Sequence, residues 1–489
     1  MLFNSIEYFV FLALVMVLYI AFKPRLRWIL LLVASYAFYA NWSISYCFLL
    51  LGTTVVTYLS ALLISKTHGD IRRKKLYLAF CILANVGVLF LFKYFNFFNQ
   101  SLGTLFQWLD IPYQVPDFKL LLPIGISYYI FQAISYIVDV YRGKMEPEKH
   151  FGIFALYLVF FPKLVAGPIE RGHKLIPQFY EAKFSIAKAV SGFKLIGWGL
   201  FKKVVIADHL AIVVNTVYDN PQSFGSIPLL TATVFYAFQI YCDFSAYTDM
   251  AMGSARVMGF ELTQNFQRPY YAKSIKEFWS RWHITLSSWL RDYVYIPLGG
   301  NRVRISRYYI NILLTFLVSG LWHGANWTFV LWGGLHGTYQ VVSHVTRNFR
   351  QKFTSFIGLS KFPRVHKLFK VAITFSLVCF AWIFFRANSI NDGIYIATHL
   401  FSGISGFANP SYVISQLLTL GLNKIEYMVV FFSLLILEIV HLYQRNEEWK
   451  NRFANWPLPL RWAFYYLIIF MIIILGVYDS ETQFIYVQF

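Results

Sequence analysis

Long runs of apolar residues recur along this chain, and they limit its possible folds more than any other feature. A run of roughly 20 residues spans the hydrocarbon core of a bilayer as an α-helix, the form that satisfies its own backbone polar groups. The sequence predicts an all-α polytopic membrane protein with about 11 transmembrane helices plus re-entrant or interfacial helices. Segments 151–166 and 190–215, which contain lysines, are the candidates for re-entrant or interfacial pieces. Candidate spans lie near 6–22, 28–46, 48–64, 76–96, 120–140, 151–166, 190–215, 228–252, 309–324, 326–343, 368–386, 427–444 and 460–478.

Composition agrees with a membrane protein and excludes other classes. Of the 489 residues, 58% are hydrophobic and 13% are charged, whereas soluble proteins carry about 25% charged residues. The net charge of +20 does not indicate nucleic-acid binding, because the basic residues lie in loops between apolar segments. There they set topology and face membrane lipids or an anionic substrate. The four cysteines stand singly, so neither a disulfide framework nor a metal site is expected.

The basic loops predict an orientation. Lysine and arginine follow the first, third and fifth spans and fill the loop 344–370 and the stretch Arg445 to Arg452, whereas loops 97–118 and 387–423 contain almost none. Basic loops are cytoplasmic, so the amino terminus and the tail Asp479 to Phe489 are predicted outside. The first apolar run lacks a basic leader region and a cleavage motif, so we expect it to be retained as a span. One continuous domain, 1–489, is the simplest division.

An imidazole stands inside one predicted hairpin, 309–343. His323 belongs to Trp322-His323-Gly324 and is flanked by uncharged apolar residues. Ionisable groups at membrane depth mark functional sites, and histidine suits proton transfer near neutral pH. The alternative is a histidine that hydrogen-bonds a neighbouring helix as packing; this residue alone does not decide. For His336, which lies beside glycines, the packing interpretation is favoured.

The longest polar interruption, about 255–308, is predicted to be a cytoplasmic basic segment. Within it, 276–292 has aromatic residues at spacings of four and seven, which predicts an amphipathic helix. On this segment alone an interfacial anchor is favoured over catalysis. His283, in the middle of that helix, favours chemistry. The turn at Gly299-Gly300, beside Arg302, could approach phosphates closely.

Other polar segments interrupt the apolar spans. Asp243 and Asp249 need partners at membrane depth, and ion pairs with the arginines of 256–307 are favoured over direct catalysis. Segments 122–132 and 161–171 contain prolines and glycines. They predict an irregular helix entry and a re-entrant turn beside a cavity.

Taken together, these blocks resemble the membrane-bound O-acyltransferase (MBOAT) family, in particular the branch of the alginate O-acetylation membrane subunit. The resemblance implies a ring of helices around a central funnel or tunnel, with His323 and His283 as the catalytic pair. The blocks that carry it are 122–132, 166–168, 239–250, 265–270, 278–302, 319–326 and the ending Phe484-Ile-Tyr-Val-Gln-Phe489.

The resemblance also implies substrates, partners and a location. The donor would be acetyl-CoA, used as a substrate with no bound cofactor or metal, and the acetyl group would cross a bacterial inner membrane. An SGNH-type partner outside would complete transfer to a polysaccharide such as alginate, cellulose, peptidoglycan or another exopolysaccharide. A basic loop would attract the phosphates of CoA. The candidate substrate-binding residues are Arg281, Trp282, Arg291, Asn301, Arg302 and Asp243.

The sequence leaves open the roles of the two histidines and two alternative functions. A buried histidine can deprotonate a hydroxyl that attacks a thioester, and a second can stabilise the developing charge; His323 is the preferred base, although the sequence does not settle the assignment. A second enzymatic hypothesis is D-alanyl transfer to teichoic acid from a carrier-protein thioester. A transporter or channel is the hypothesis from another class.

Overall fold

The computed structural model describes residues 1–67, 69–445, 456–478 and 484–487. Within these ranges all regular structure is helical, which confirms the predicted all-α class. Most of the basic stretch up to Arg452, and residues 479–483 and 488–489 of the predicted outer tail, lie outside the described residues.

The α-helices are numbered in chain order. They are α1 Ile6–Ala21, α2 Arg27–Ala40, α3 Ile44–Lys66, α4 Ile71–Leu89, α5 Phe95–Trp108, α6 Ile126–Tyr141, α7 Phe151–Val159, α8 Phe161–Leu164, α9 Gly172–Glu181, α10 Ile186–Leu200, α11 Asp208–Tyr218, α12 Ser226–Val257, α13 Ile275–Trp279, α14 Ile284–Leu290, α15 Ile305–His323, α16 Trp327–Val345, α17 Arg347–Phe356, α18 Pro363–Arg386, α19 Ile390–His399, α20 Pro410–Leu418, α21 Lys424–Arg445 and α22 Leu458–Leu475.

Shorter helical segments connect or extend some of these helices. Three are π-helical and continue an α-helix: Phe90–Tyr94, Phe201–Ala207 and Arg291–Tyr295. The 3₁₀ segments are Pro24–Leu26, Pro221–Ser223, Pro269–Tyr271, Leu359–Lys361, Ile404–Ala408 and Ile485–Val487.

Six helices in the described part are long and apolar enough to cross a membrane. The number of about 11 spans and the arrangement as a ring stay predictions. Residues 186–218, which include the candidate re-entrant segment 190–215, form one helical run through α10, Phe201–Ala207 and α11. The six candidate spans are Ile44–Lys66, Ile71–Trp108, Ser226–Val257, Pro363–Arg386, Lys424–Gln444 and Leu458–Leu475.

The long helix α12 lies at the centre of the buried core and packs against α10, α11 and α18. Small residues permit the closest of these approaches: a Cβ on Gly192 of α10 would lie 2.6 Å from the carbonyl oxygen of Gly253 in α12. Such close approach of small residues is typical of helix pairs in membranes. α12 therefore gives the surrounding helices a common packing surface.

The two irregular segments predicted near Pro123 and Pro162 meet each other. Gly125 precedes α6 with φ +76°, and a Cβ there would lie 2.6 Å from the carbonyl oxygen of Leu164. Position 125 thus requires glycine for both conformation and space. The buried Lys163 donates hydrogen bonds to the Gln132 side chain and to a backbone carbonyl of α7.

α15 and α16 form an antiparallel pair. We call the end at which α15 begins and α16 ends the basic end of this hairpin, since the arginines of 256–307 lead into it. Tyr309 Oη and His344 Nδ1 are hydrogen-bonded there at 3.2 Å. The opposite end is the turn after His323.

Candidate active site

His323 is the last residue of α15 and lies at the turn of the hairpin. Asn326 starts α16 because its side-chain oxygen accepts a hydrogen bond from the Thr328 amide at 3.0 Å. Gly320 and Gly333 let the two helices touch, since a Cβ on either would overlap backbone of the other helix. The packing leaves His323 only 1% exposed.

His283 lies at a break between helices, so the predicted continuous helix over 276–292 is wrong. Its backbone is left-handed, with φ +42°, a conformation uncommon outside glycine. Asn265 explains the break: its carbonyl accepts from the Ile284 amide at 3.0 Å, and its side-chain oxygen accepts from the Thr285 amide at 3.1 Å. Asn265, which is distant along the chain, thus satisfies the first amides of α14, and α14 begins after His283 instead of continuing from the preceding helix.

The two histidines share the same neighbours. The Trp322 ring lies 4.9 Å from the His323 ring and 5.7 Å from the His283 ring, and the Tyr486 ring lies 5.6 Å and 6.1 Å from them, between centroids. His283 is fully buried. Among the described residues, neither ring nitrogen of either histidine has a hydrogen-bond partner. Buried polar groups are nearly always paired, so the four unpartnered nitrogens make this pair a candidate site.

The walls around the pair are aromatic. Phe385 and Trp332 lie 5.1 and 5.0 Å from the His323 ring, and Phe244 lies 4.8 Å from the His283 ring. Such walls exclude water and strengthen the electrostatic interactions within them.

Tyr486 is the site residue to which sequence reasoning gave no role. Its ring stacks on Phe244 at 3.6 Å, and the neighbouring Ile485 amide donates to the Asp243 carboxylate at 2.8 Å. Phe484 and Tyr486 are both buried, so this part of the predicted outer tail returns to the protein interior. The available signals were the aromatic character of this ending and its place among the blocks that resemble the family.

Asp243 and Asp249 pair with lysines, so the expected arginine partners are wrong. Lys203 Nζ lies 2.9 Å from carboxylate oxygens of both Asp243 and Asp208, and Lys202 Nζ lies 2.7 Å from Asp249. Both lysines belong to the π-helical segment Phe201–Ala207, which faces α12. Spacing along the chain could not reveal pairs formed between α12 and this segment.

A cavity of about 590 Å³ adjoins the turn of the hairpin. Asn326 and Phe329 line it from the hairpin, Arg386 from the end of α18, and Asp243 from α12. Phe385 is part of this lining and also contacts the His323 ring. Phe385 therefore separates the His323 ring from this cavity, whose lining includes neither histidine.

A second cavity, of about 610 Å³, lies toward the basic end of the hairpin. Arg291 and Asn301 line it together with Lys276 and Tyr308. It also includes Ser319, one helical turn before His323. The histidines thus lie between two cavities that approach from opposite ends of α15.

Comparison with known proteins decides the family. The family model for MBOAT, the membrane-bound O-acyltransferase family, matches residues 71–389, a range that includes both histidines and both cavities' hairpin walls. The chain belongs to the MBOAT family. It is therefore an acyltransferase, and the hypothesis of a transporter or channel without chemistry is wrong.

Relatives of this MBOAT protein are named for alginate, peptidoglycan and teichoic acid. It is 37% identical over 461 residues to the probable alginate O-acetylase AlgI of Pseudomonas aeruginosa, covering 94% of this chain and 83% of the relative. It is 35% identical over 474 residues to the peptidoglycan O-acetyltransferase of Helicobacter pylori, covering 87% and 86%. A more distant relative is the teichoic acid D-alanyltransferase of Bacillus subtilis, 28% identical over 287 residues, covering 56% and 71%.

The predicted substrate-binding residues of this acyltransferase fall in different places. Arg291 and Asn301 share the basic-end cavity, and Asp243 lines the other one. Trp282 is fully buried and stacks on Phe278 at 5.5 Å, a packing role. Arg302 is exposed beside the predicted turn, where both glycines have positive φ.

Arg281 lies apart from Arg291. It lines a small cavity of about 120 Å³ with Arg268, Lys273 and Lys367, and it pairs with Glu277 at 2.6 Å. Of the six predicted substrate-binding residues, only Arg291 and Asn301 therefore line the same cavity.

His336 packs within the MBOAT domain as expected. It is fully buried, and its Nδ1 accepts a hydrogen bond from Trp279 Nε1 at 3.2 Å. Gly337 follows it, and a Cβ there would press on Leu313 of α15. His336 therefore joins α13 to the hairpin.

Proposed function

We propose that this acyltransferase takes acetyl groups from acetyl-CoA in the cytoplasm and passes them across the bacterial inner membrane for O-acetylation of an extracytoplasmic polysaccharide. The observation that carries the proposal is the position of His283 and His323, buried between two cavities with four unpartnered ring nitrogens. A donor that enters one cavity and an acceptor that enters the other would meet at these rings.

The basic-end cavity suits the donor. Lys276 and Arg291 at its rim would attract the phosphates of CoA, and charge-assisted contacts to phosphate are strong. The positive-inside rule assigns this end to the cytoplasm, where acetyl-CoA is available, and assigns the amino terminus to the outside. The pantetheine arm would run along α15 toward Ser319 and His323.

The cavity at the turn suits a polar acceptor. Its lining combines amide and charged side chains, including Asn326, Arg386 and Asp243, groups that hydrogen-bond hydroxyls. An SGNH-type partner outside would deliver the acceptor or receive the acetyl group. The names of the relatives support alginate or peptidoglycan as acceptor classes.

The chemistry requires one base and one stabilising group. In our assignment, His323 removes the proton from the hydroxyl that attacks the thioester carbonyl, and this proton then passes to the CoA sulfur, which leaves as a thiol. His283 donates a hydrogen bond to the thioester oxygen or to the leaving sulfur, which stabilises the charge that develops there. The aromatic walls keep water from hydrolysing the thioester.

Histidine-to-glutamine substitutions test this function. We expect His323→Gln to lower the rate of acetyl transfer by about 100- to 10,000-fold, the range for loss of a general base. His283→Gln should also lower the rate while protein level and membrane insertion persist. His336→Gln is the matched control, because His336 is buried like the pair but its Nδ1 accepts a hydrogen bond from Trp279, and it should retain activity. Glycan acetylation in cells and thiol release by the purified protein are the measurements; unchanged acetylation in His323→Gln would contradict the assignment.

The similarity to a teichoic acid D-alanyltransferase supports a second candidate, transfer of D-alanine from a carrier-protein thioester. Incubating the purified protein with acetyl-CoA and, separately, with D-alanyl carrier protein separates the two. If the protein cleaves the carrier thioester and not acetyl-CoA, D-alanyl transfer becomes the function and acetyl transfer is excluded.

A further inference from the structure

The end of α15 leaves carbonyl groups that no later helical turn can satisfy. The helix stops at His323, so the carbonyls of Leu321, Trp322 and His323 lack the amide partners that a continuing helix would provide. Trp322 and His323 are buried, and buried carbonyls require partners. Those partners also determine where the backbone of His323 lies.

Two adjacent residues of another helix supply the partners. Tyr94 Oη donates to the Leu321 carbonyl at 2.9 Å. Lys93 Nζ donates to the Trp322 carbonyl at 2.7 Å and to the His323 carbonyl at 3.4 Å. Both residues belong to the π-helical segment Phe90–Tyr94, which joins α4 to α5. Single π-helical turns inside α-helices are frequent at functional sites.

The environment of Lys93 indicates a specific task. Its remaining hydrogen bond goes to Ser127 Oγ at 3.2 Å, and its ammonium lies 5.9 Å from the centroid of the Trp322 ring. None of the ion pairs among the described residues includes Lys93. A cation near the carbonyl end of a helix interacts favourably with the helix dipole. Lys93 therefore holds backbone carbonyls rather than balancing an acidic side chain.

We propose that Lys93 and Tyr94 are positioning residues that fix the end of α15 and thereby the ring of His323. The inference rests on the proposed function, in which His323 is the catalytic histidine. A misplacement of about 1 Å at a reacting group can lower the rate by about 100-fold. Loss of these hydrogen bonds should therefore lower kcat and leave KM for acetyl-CoA unchanged. The residues of the proposed donor cavity, Arg291 and Asn301, lie elsewhere.

The test is steady-state release of thiol from acetyl-CoA by the purified full chain, with alginate and peptidoglycan oligosaccharides supplied as hydroxyl acceptors. Lys93→Met keeps the length of the side chain but removes the ammonium group. We expect its kcat to fall by about 10- to 100-fold while KM for acetyl-CoA stays close to that of the unchanged protein. Lys93→Arg, which can still donate to carbonyls, should recover part of the loss. Tyr94→Phe removes one hydroxyl and should give a smaller decrease in kcat.

Lys163→Met is the matched control, because Lys163 is also buried and also bonds a backbone carbonyl, but on α7. Its kcat per folded molecule should stay near that of the unchanged protein. The inference is overturned if Lys93→Met and Tyr94→Phe both retain kcat, or if Lys93→Met has no larger effect than Lys163→Met. Should Lys93→Met fail to accumulate in membranes, Tyr94→Phe decides alone. Full activity of His323→Gln would instead contradict the proposed function. That result is distinct from normal turnover in the Lys93 and Tyr94 variants, which contradicts only the inference about positioning.

Discussion

Replacing Lys203 with methionine would remove the cation that lies between two buried carboxylates. Lys203 Nζ is 2.9 Å from both Asp208 and Asp243, and the three side chains are only 1–3% exposed. Their formal charges sum to −1, and the substitution changes the sum to −2. Breaking a buried ion pair by removing one partner destabilises a protein by about 3–5 kcal/mol. We expect Lys203→Met to lose stability in this range.

Charge counting makes the reasoning refutable. Asp243→Asn brings the sum of the three charges to zero and keeps an oxygen that can accept from the Ile485 amide, so it should destabilise by only about 1 kcal/mol. In the double variant with Lys203→Met the sum returns to −1, so its stability should fall between the two single variants. Unfolding in mixed detergent, followed by tryptophan fluorescence, measures all three. A double variant no more stable than Lys203→Met would refute the argument.

Three further predictions follow from close packing and from the cavities. Gly333→Ala would drive its Cβ into the Phe316 backbone and should destabilise the hairpin by about 1–3 kcal/mol. Thermal unfolding in detergent measures this loss. Gly334→Ala is the control and should be tolerated, because its Cβ would meet only Leu317 Cδ2 at 3.8 Å. Arg291→Ala should raise KM for acetyl-CoA about tenfold, the effect of one charge-assisted contact, whereas Arg307→Ala, exposed outside the cavity, should not change it in the same thiol-release assay. Tyr486→Phe keeps the ring stacked on Phe244 but removes the hydroxyl from a ring that lies near both histidines. We expect acetyl transfer to fall about tenfold at unchanged protein level; normal transfer would limit Tyr486 to packing.

The sequence predicted those features that depend on local pattern. The helices of the hairpin around His323 lie close to the predicted segments 309–324 and 326–343, although neither is among the six described helices that are long and apolar enough to cross a membrane. The turn at Gly299-Gly300 followed from the freedom of glycine, and both residues have positive φ. The burial of His336 beside Trp279 and glycines also agreed with its flanking residues.

The features that failed or were missed depend on contacts distant along the chain. The break at His283 arises because Asn265 caps α14, and the lysine partner of Asp243, Lys203, comes from 40 residues earlier. Tyr486 reaches the histidines from the far end of the chain. A periodic pattern such as 276–292 reports which face of a helix is apolar, but it carries no information on a cap supplied by another segment.

Each part of the site lies where regular helical hydrogen bonding stops. α15 ends at His323, His283 separates two short helices, and Lys203 lies in a π-helical segment. In a buried apolar setting every such interruption must be compensated. The compensating groups are Lys93 and Tyr94 at the first interruption and Asn265 at the second. These partners come from other segments, so a substitution of one of them should disturb the placement of a histidine more than the fold as a whole. Mutating these residues is therefore as informative as mutating the histidines themselves.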